Sequence, residues 1–164
     1  MAIYDYLPKF NYIEPNNLKG LQPGFVVAQE GRVAQELCKE VNGKYFFENG
    51  KLCALSADGI VAATGDEHVI LIHFTEPLNT IRNSDQYFAV EMRYNEEGKA
   101  DLDATPEYPR LVQLIAGDEW MSTEDLGDEI LGGRVVKVAK AEKGWFAVDY
   151  MANGDKAYHY VFLG

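Results

Sequence analysis

Apolar residues along the chain come in short bursts, and most bursts end at a dipeptide suited to a tight turn. Asn42-Gly43, Asn49-Gly50, Asp58-Gly59 and Asn153-Gly154 are such dipeptides, because Asn, Asp and Gly tolerate positive φ. "KYFFE" lies between the first two and "KLCALSA" between the next two. Short segments rich in aromatic and branched residues, bounded in this way, predict a β-meander. "EHVILIHFTE", from Glu67 to Glu76, has apolar positions on both faces, so a central strand covered on both sides is expected there. "DQYFAVEMRYN", "RLVQLIA", "RVVKVAKA", "GWFAVDYMA" and "KAYHYVFLG" are further strand candidates, and the last two flank Asn153-Gly154 as the clearest hairpin. One segment breaks the pattern. "RVAQELCKEV" places Val33, Leu37 and Val41 at helical spacing but runs directly into a hairpin turn, which leaves helix and strand both open.

The expected fold is mostly β: antiparallel meander and barrel-like units, little helix, and an extended N-terminal arm. The arm is residues 1–24, which hold three prolines and the aromatics Tyr4, Tyr6, Phe10 and Tyr12. A β-rich unit follows over 25–97, then a polar, proline-containing linker or long loop over 98–108, then a second small barrel-like unit over 109–164.

Composition narrows the function classes. The chain has 164 residues, of which 47% are hydrophobic, enough for a packed core. Its net charge of -11 repels phosphate backbones and disfavours nucleic-acid binding. "MAIYDYLPKF" has neither the basic region nor the apolar core of a signal peptide, and no apolar run reaches membrane-spanning length, so neither secretion nor a membrane is expected. Cys38 and Cys53 form no C-x-x-C pair and read as buried free thiols, with a disulfide between them left open.

The candidate chemistry centres on "AGDEWMSTEDLGDEILGG", residues 116–133, with carboxylates at Asp118, Glu119, Glu124, Asp125, Asp128 and Glu129. A calcium loop needs oxygen ligands at alternating spacing around a glycine. Here the acids come as adjacent pairs, which point to opposite faces of a strand, and each Gly-Asp-Glu places its glycine where a strand exits into a turn. A solvated acidic rim is the expectation. His68 and His73 are five apart in one candidate strand and so face opposite ways, and His159 stands alone. No G-x-S-x-G, phosphate-cradling loop or H-E-x-x-H occurs. No catalytic, cofactor or metal residue is therefore assigned, and no enzyme activity is expected.

Two short motifs carry a resemblance. "NNLKGLQPGFVVA" contains Leu21, Pro23, Gly24, Val26 and Val27 in the pattern L.PG.VV, and "YPRLVQLIAGDEWMSTEDL" contains Arg110, Leu114, Gly117, Asp118, Trp120 and Thr123 in the pattern R...L..GD.(aromatic)..T. In this order the chain resembles small bacteriophage head decoration, or capsid cement, proteins. The resemblance implies a non-enzymatic virion protein, made in the host cytoplasm and bound to the capsid exterior, with the major capsid protein and copies of itself as partners. Docking would fall to the aromatic arm, Tyr4, Tyr6, Phe10 and Tyr12, with Trp120 as a further partner contact. Two rival readings are a carbohydrate-binding module with an exposed Trp120 or Trp145, and a small β-barrel hydrolase using Asp118 and Asp128.

Overall fold

A computed structural model describes residues 11, 13–21, 26–28, 32–75, 89–101, 109–140 and 157–164. The strands are β1 (Ile13–Asn17), β2 (Val26–Ala28), β3 (Lys39–Val41), β4 (Lys44–Glu48), β5 (Leu52–Ser56), β6 (Gly59–Ala62), β7 (Leu71–His73), β8 (Ala89–Met92), β9 (Arg110–Gln113), β10 (Glu119–Ser122), β11 (Glu129–Ile130), β12 (Val135–Lys140) and β13 (Tyr158–Phe162). Helix among the described residues is confined to two 3-10 turns, Lys19–Leu21 and Gln35–Leu37. The strands form three sheets, ordered β1-β10-β13-β12-β11, β2-β9-β7-β5-β6 and β3-β4-β8. Every pairing of these strands is antiparallel. The mostly β expectation holds, but the sheets are open and do not close into barrels.

The second sheet lies between two cores. Side chains alternate along a strand, so neighbours serve opposite faces. In β7, Ile72 joins Trp120, Val135, Tyr160 and Phe162 of the first sheet in one core, while Leu71 joins Phe47, Val90 and Met92 of the third sheet in the other. In β9, Val112 and Leu111 divide the same way. The doubly covered strand read at 67–76 is thus present, although the strand itself spans only Leu71–His73.

Turn chemistry explains much of the connectivity. Asn42 takes φ 52° at the β3–β4 hairpin. At the β5–β6 hairpin Gly59 takes φ 122°, and a Cβ there would lie 2.2 Å from the Arg32 carbonyl oxygen, so only glycine fits. That approach lets Ile60 N donate to Arg32 O and Ala34 N donate to Ile60 O, which covers the edge of β6. Asn49-Gly50 behaves differently. It joins β4 to β5, yet these strands sit in different sheets, so the meander expected across 44–57 is broken there.

Other expectations change as well. "RVAQELCKEV" is neither a full helix nor one strand: Val33 bridges Ile60, Gln35–Leu37 is a 3-10 turn, and β3 begins at Lys39. Burial of Val33 and Leu37 in the core with Ile60 outweighs the helical spacing. The divisions at 24 and 98–108 do not separate the sheets. β1, from within the expected arm, pairs with β10 and buries Ile13, while β9 sits between β2 and β7. Residues 98–101 are not free linker, because Ala100 bridges Tyr94 in a turned-back hairpin. Strand candidate 144–152 and Asn153-Gly154 lie outside the described residues.

Double-sided burial makes a specific demand on stability. Leu71→Ala and Ile72→Ala should each cost roughly 2–5 kcal/mol, measured by urea unfolding. In a strand with one wet face, one of the two would change stability by less than about 0.5 kcal/mol.

Candidate functional site

The acidic stretch divides into a buried anchor and an exposed rim. Asp118 is buried, against the expectation of a solvated rim. It sits in the turn between β9 and β10, where its own N–H donates to Ile115 O at 2.9 Å. Its Oδ2 accepts the Ile115 N–H at 2.8 Å and its Oδ1 accepts the Lys19 N–H at 3.2 Å. Two backbone donors thus fill the carboxylate, and the 3-10 turn after β1 is fastened to the second motif. Asp125 and Asp128 lie in the exposed part, where Lys137 Nζ reaches both, at 2.9 and 3.3 Å. The Lys137 hydrogen bond holds the Asp125 carboxyl below its usual range, and the same contact pushes the Lys137 ammonium upward. An ammonium therefore already occupies the space a cation would take.

Trp120 is 0% exposed, which corrects its expected place at a partner surface or on a sugar platform. It pairs across β10 with Tyr160 and faces the core between the first and second sheets, with ring centroids 5.8 Å apart. Tyr160 fixes the loop above: its hydroxyl donates to Glu124 O and accepts the Leu126 N–H, both at 2.8 Å. Trp145 lies outside the described residues, as do Tyr4, Tyr6, Phe10 and Tyr12, the arm residues expected to dock.

A buried polar network occupies the crossing from the third sheet to the second. Glu48, Asn49, His73 and Thr75 are all buried there. His73 Nδ1 lies 2.8 Å from the Glu48 carbonyl oxygen, which only accepts, so Nδ1 carries the proton. Nε2 is then an acceptor for the Thr75 hydroxyl at 2.7 Å, and Thr75 Oγ1 accepts the Arg110 N–H at 2.8 Å. Asn49 Oδ1 takes the Thr75 N–H at 2.9 Å. The imidazole stacks on Phe47, with centroids 3.8 Å apart and planes 6° apart. Burial pushes the His73 pKa down to about 4, against the opposing pull of the Glu48 acceptor. A histidine beside a hydroxyl is an arrangement used by nucleophilic enzymes. Here the two residues are 0% and 3% exposed, and the ring is stacked against Phe47. The sequence pattern places His73 in a strand but does not show its partner Glu48, which lies 25 residues away.

His73 is buried in β7, while His68 is exposed in the bend before it, so the two do not share a strand as expected. His159 Nε2 lies 3.7 Å from Glu119 Oε1. Cys38 and Cys53 are free thiols, and burial pushes them up to about 11 and about 12. Tyr94 donates its hydroxyl proton to Val33 O at 2.9 Å, so the Cys38 thiol donates to Tyr94 at 3.1 Å. Neither sulfur is a thiolate near neutral pH. Glu67, of the first Gly-Asp-Glu, loses a little solvation. It nevertheless accepts from Thr64 N, Thr64 Oγ1 and Gly65 N, which draw its pKa down to about 2. No group of three His, Cys, Asp or Glu side chains among the described residues is placed to hold a metal. An open groove of roughly 600 Å³ has the buried Val33 and Ile60 at its floor and Arg32, Asp58 and Lys99 at its rim, a lining of mixed sign.

Comparison of the chain with protein-family models, with curated proteins and with solved structures finds no match in any of the three.

Two measurements check this assignment of roles. Asp118→Ala should cost roughly 3 kcal/mol or more in urea unfolding, because two backbone donors lose a charged acceptor. Asp128→Ala should stay within about 0.5 kcal/mol, as usual for an exposed pair. The pH dependence follows from His73. Its folded pKa lies below the ordinary 6.5, so the unfolded chain binds more protons between the two values. Stability should be full above 6.5 and fall towards pH 4 by up to about 1.4 kcal/mol per unit. The Glu67 contribution is present above its ordinary 4.5 and lost as pH falls through about 2. Unfolding free energies that stay level from pH 7 to 5 would contradict the neutral, buried His73.

Proposed function

We propose that this chain is a non-enzymatic structural protein of a bacteriophage virion, bound to the outside of the capsid as a decoration or cement protein that stabilises the head. The observation that carries this reading is the meeting of the two motifs. Val26, Val27 and Ala28 pair with Val112, Leu111 and Arg110, so the strand of the first motif lies against the strand that opens the second. Lys19 N–H on Asp118 ties them again a few residues away. Gly20 completes the fit, since a Cβ there would lie 2.5 Å from Val112 Cγ1 and 2.7 Å from Gln113 O. The described motif residues thus have fold-building roles: a strand pair, a turn anchored by Asp118, and the Trp120 ring in the core. A signature of that kind suits a protein whose product is a shape.

The physical character of the chain agrees with the reading. Among the described strands β3 and β1 lie at sheet edges, where the charged Lys39 and Glu40 and Pro15 discourage strand addition between free molecules. The net charge of -11 gives further mutual repulsion before assembly. On a capsid, many copies share the load, so modest affinity per copy suffices, and contacts between adjacent copies add avidity. The partners proposed are the major capsid protein and neighbouring copies of this chain.

Purified protein mixed with expanded phage heads that lack it should co-sediment, saturate at a fixed number of copies per head, and raise the temperature at which the heads rupture. Heads that bind none at micromolar protein would refute the proposal.

A further inference from the structure

The chain carries the dipeptide Asn-Gly at three places, and the structure gives two of them opposite surroundings. Asn42-Gly43 is exposed at the tip of the β3–β4 hairpin. The ladder closes on the Val41–Lys44 pair, so both residues lie beyond it. Asn42 takes φ 52° and Gly43 φ 79°, and a Cβ at Gly43 would meet nothing within 4 Å. Asn49-Gly50, where β4 crosses to β5, is buried and tied down. Asn49 Oδ1 accepts the Thr75 N–H at 2.9 Å and Asn49 Nδ2 donates to Thr75 O at 3.4 Å, so both atoms of the side-chain amide are held. Gly50 N donates to His73 O at 2.8 Å, so its proton is already engaged.

We propose that Asn42 is a site of covalent self-modification, where the chain converts asparagine to aspartate and isoaspartate without an enzyme. Asn-Gly suits this step, because no Cβ on the second residue obstructs its nitrogen. The nitrogen of Gly43, having given its proton to hydroxide, bonds to Asn42 Cγ and closes a five-membered imide. The Cγ–Nδ2 bond breaks, and ammonia leaves with a proton returned by water, which regenerates hydroxide. Water then opens the imide at either carbonyl: one opening gives aspartate, the other isoaspartate. Ring closure needs rotation about the Asn42 Cα–C bond to bring Gly43 N onto Cγ. At the hairpin tip that rotation moves Asn42 and Gly43, both exposed. At Asn49 the same step must break the two amide bonds to Thr75 and the Gly50 bond to His73 and open a buried crossing, which slows it on the order of a hundredfold. The fold therefore sorts two dipeptides that are identical in sequence. Both products put a new carboxylate at the edge of the third sheet. Isoaspartate also inserts a methylene into the main chain between β3 and β4, which a two-residue turn with positive φ at both positions does not accommodate. The site is independent of the proposed capsid role.

The test uses the whole chain, folded, aged for days in mildly alkaline buffer and then digested with trypsin. The two dipeptides fall in separate tryptic peptides, EVNGK (residues 40–44) and YFFENGK (residues 45–51), and mass spectrometry follows the change of amide to carboxylate in each. Asn153-Gly154 falls in a third peptide and does not enter the comparison. A parallel sample unfolded in guanidinium chloride sets the rate of each dipeptide without structure. Asn42 should convert in the folded protein within about tenfold of its unfolded rate, while Asn49 falls behind its own on the order of a hundredfold. The EVNGK product should include isoaspartate, seen as a peptide of the same mass as the aspartyl form with a different retention time, and its rate should climb with pH. Two results would overturn the proposal. In one, folding slows Asn42 as much as Asn49. In the other, both dipeptides keep their unfolded rates.

Discussion

The structure depends on the burial of its second sheet on both faces. A strand with water on one side can be polar at every other position, but β7 and β9 cannot. Leu71 and Ile72, and likewise Leu111 and Val112, serve opposite cores within consecutive residues. The backbone between them has no water to bond, so each N–H and C=O needs a partner in the ladder or in a turn. β7 and β9 supply one another, while β5 and β2 complete their outer sides. The first and third sheets each lend a face, and neither side could be removed without exposing an apolar surface.

That constraint explains the polar groups in the interior. Where the chain crosses from β4 to β5 it leaves one sheet for another, and the ladder is interrupted beside a core. His73 and Asn49 fill the gap with side-chain bonds to Glu48 O and to the Thr75 backbone. Asp118 does the same at the β9–β10 turn, collecting donors from Lys19 and Ile115. Carboxylates and imidazole, the groups that suggest catalysis in a sequence, serve here to satisfy backbone. They hold the segments of two separate motifs in one frame, which is the physical content of the proposed structural role.

The sequence makes some of this legible and hides the rest for identifiable reasons. Asn42-Gly43 marks its hairpin because a two-residue turn is a local event, whereas Asp58-Gly59 marks the next one a residue out, since the turn is Ala57–Asp58 and Gly59 already pairs with Ser56. "EHVILIHFTE" marks a strand covered on both faces because its apolar residues fall at odd and even positions alike, although only Leu71–His73 form it and His68 and Val69 are exposed. Asn49-Gly50 looked the same as its neighbours but joins two sheets, and only the distant partners β7 and β8 decide that. The sheets do not follow consecutive stretches of chain for the same reason, since β9 enters a sheet begun by β2. Asp118 falls among surface acids in the sequence because its partners lie 99 and three residues away, and only the nearer is visible locally. Trp120, flanked by carboxylates, looked like a ring in a polar loop. Strand alternation turns it inward and sends Glu119 outward.

Native-state hydrogen exchange tests the central claim, that the fold is organised around a sheet buried on both faces. The account predicts that the amides of Ile72, His73 and Leu111 exchange in the slowest class, at the rate set by global unfolding. Exchange of those amides through local opening, as fast as in the exposed turn at Asp125–Gly127, would contradict it.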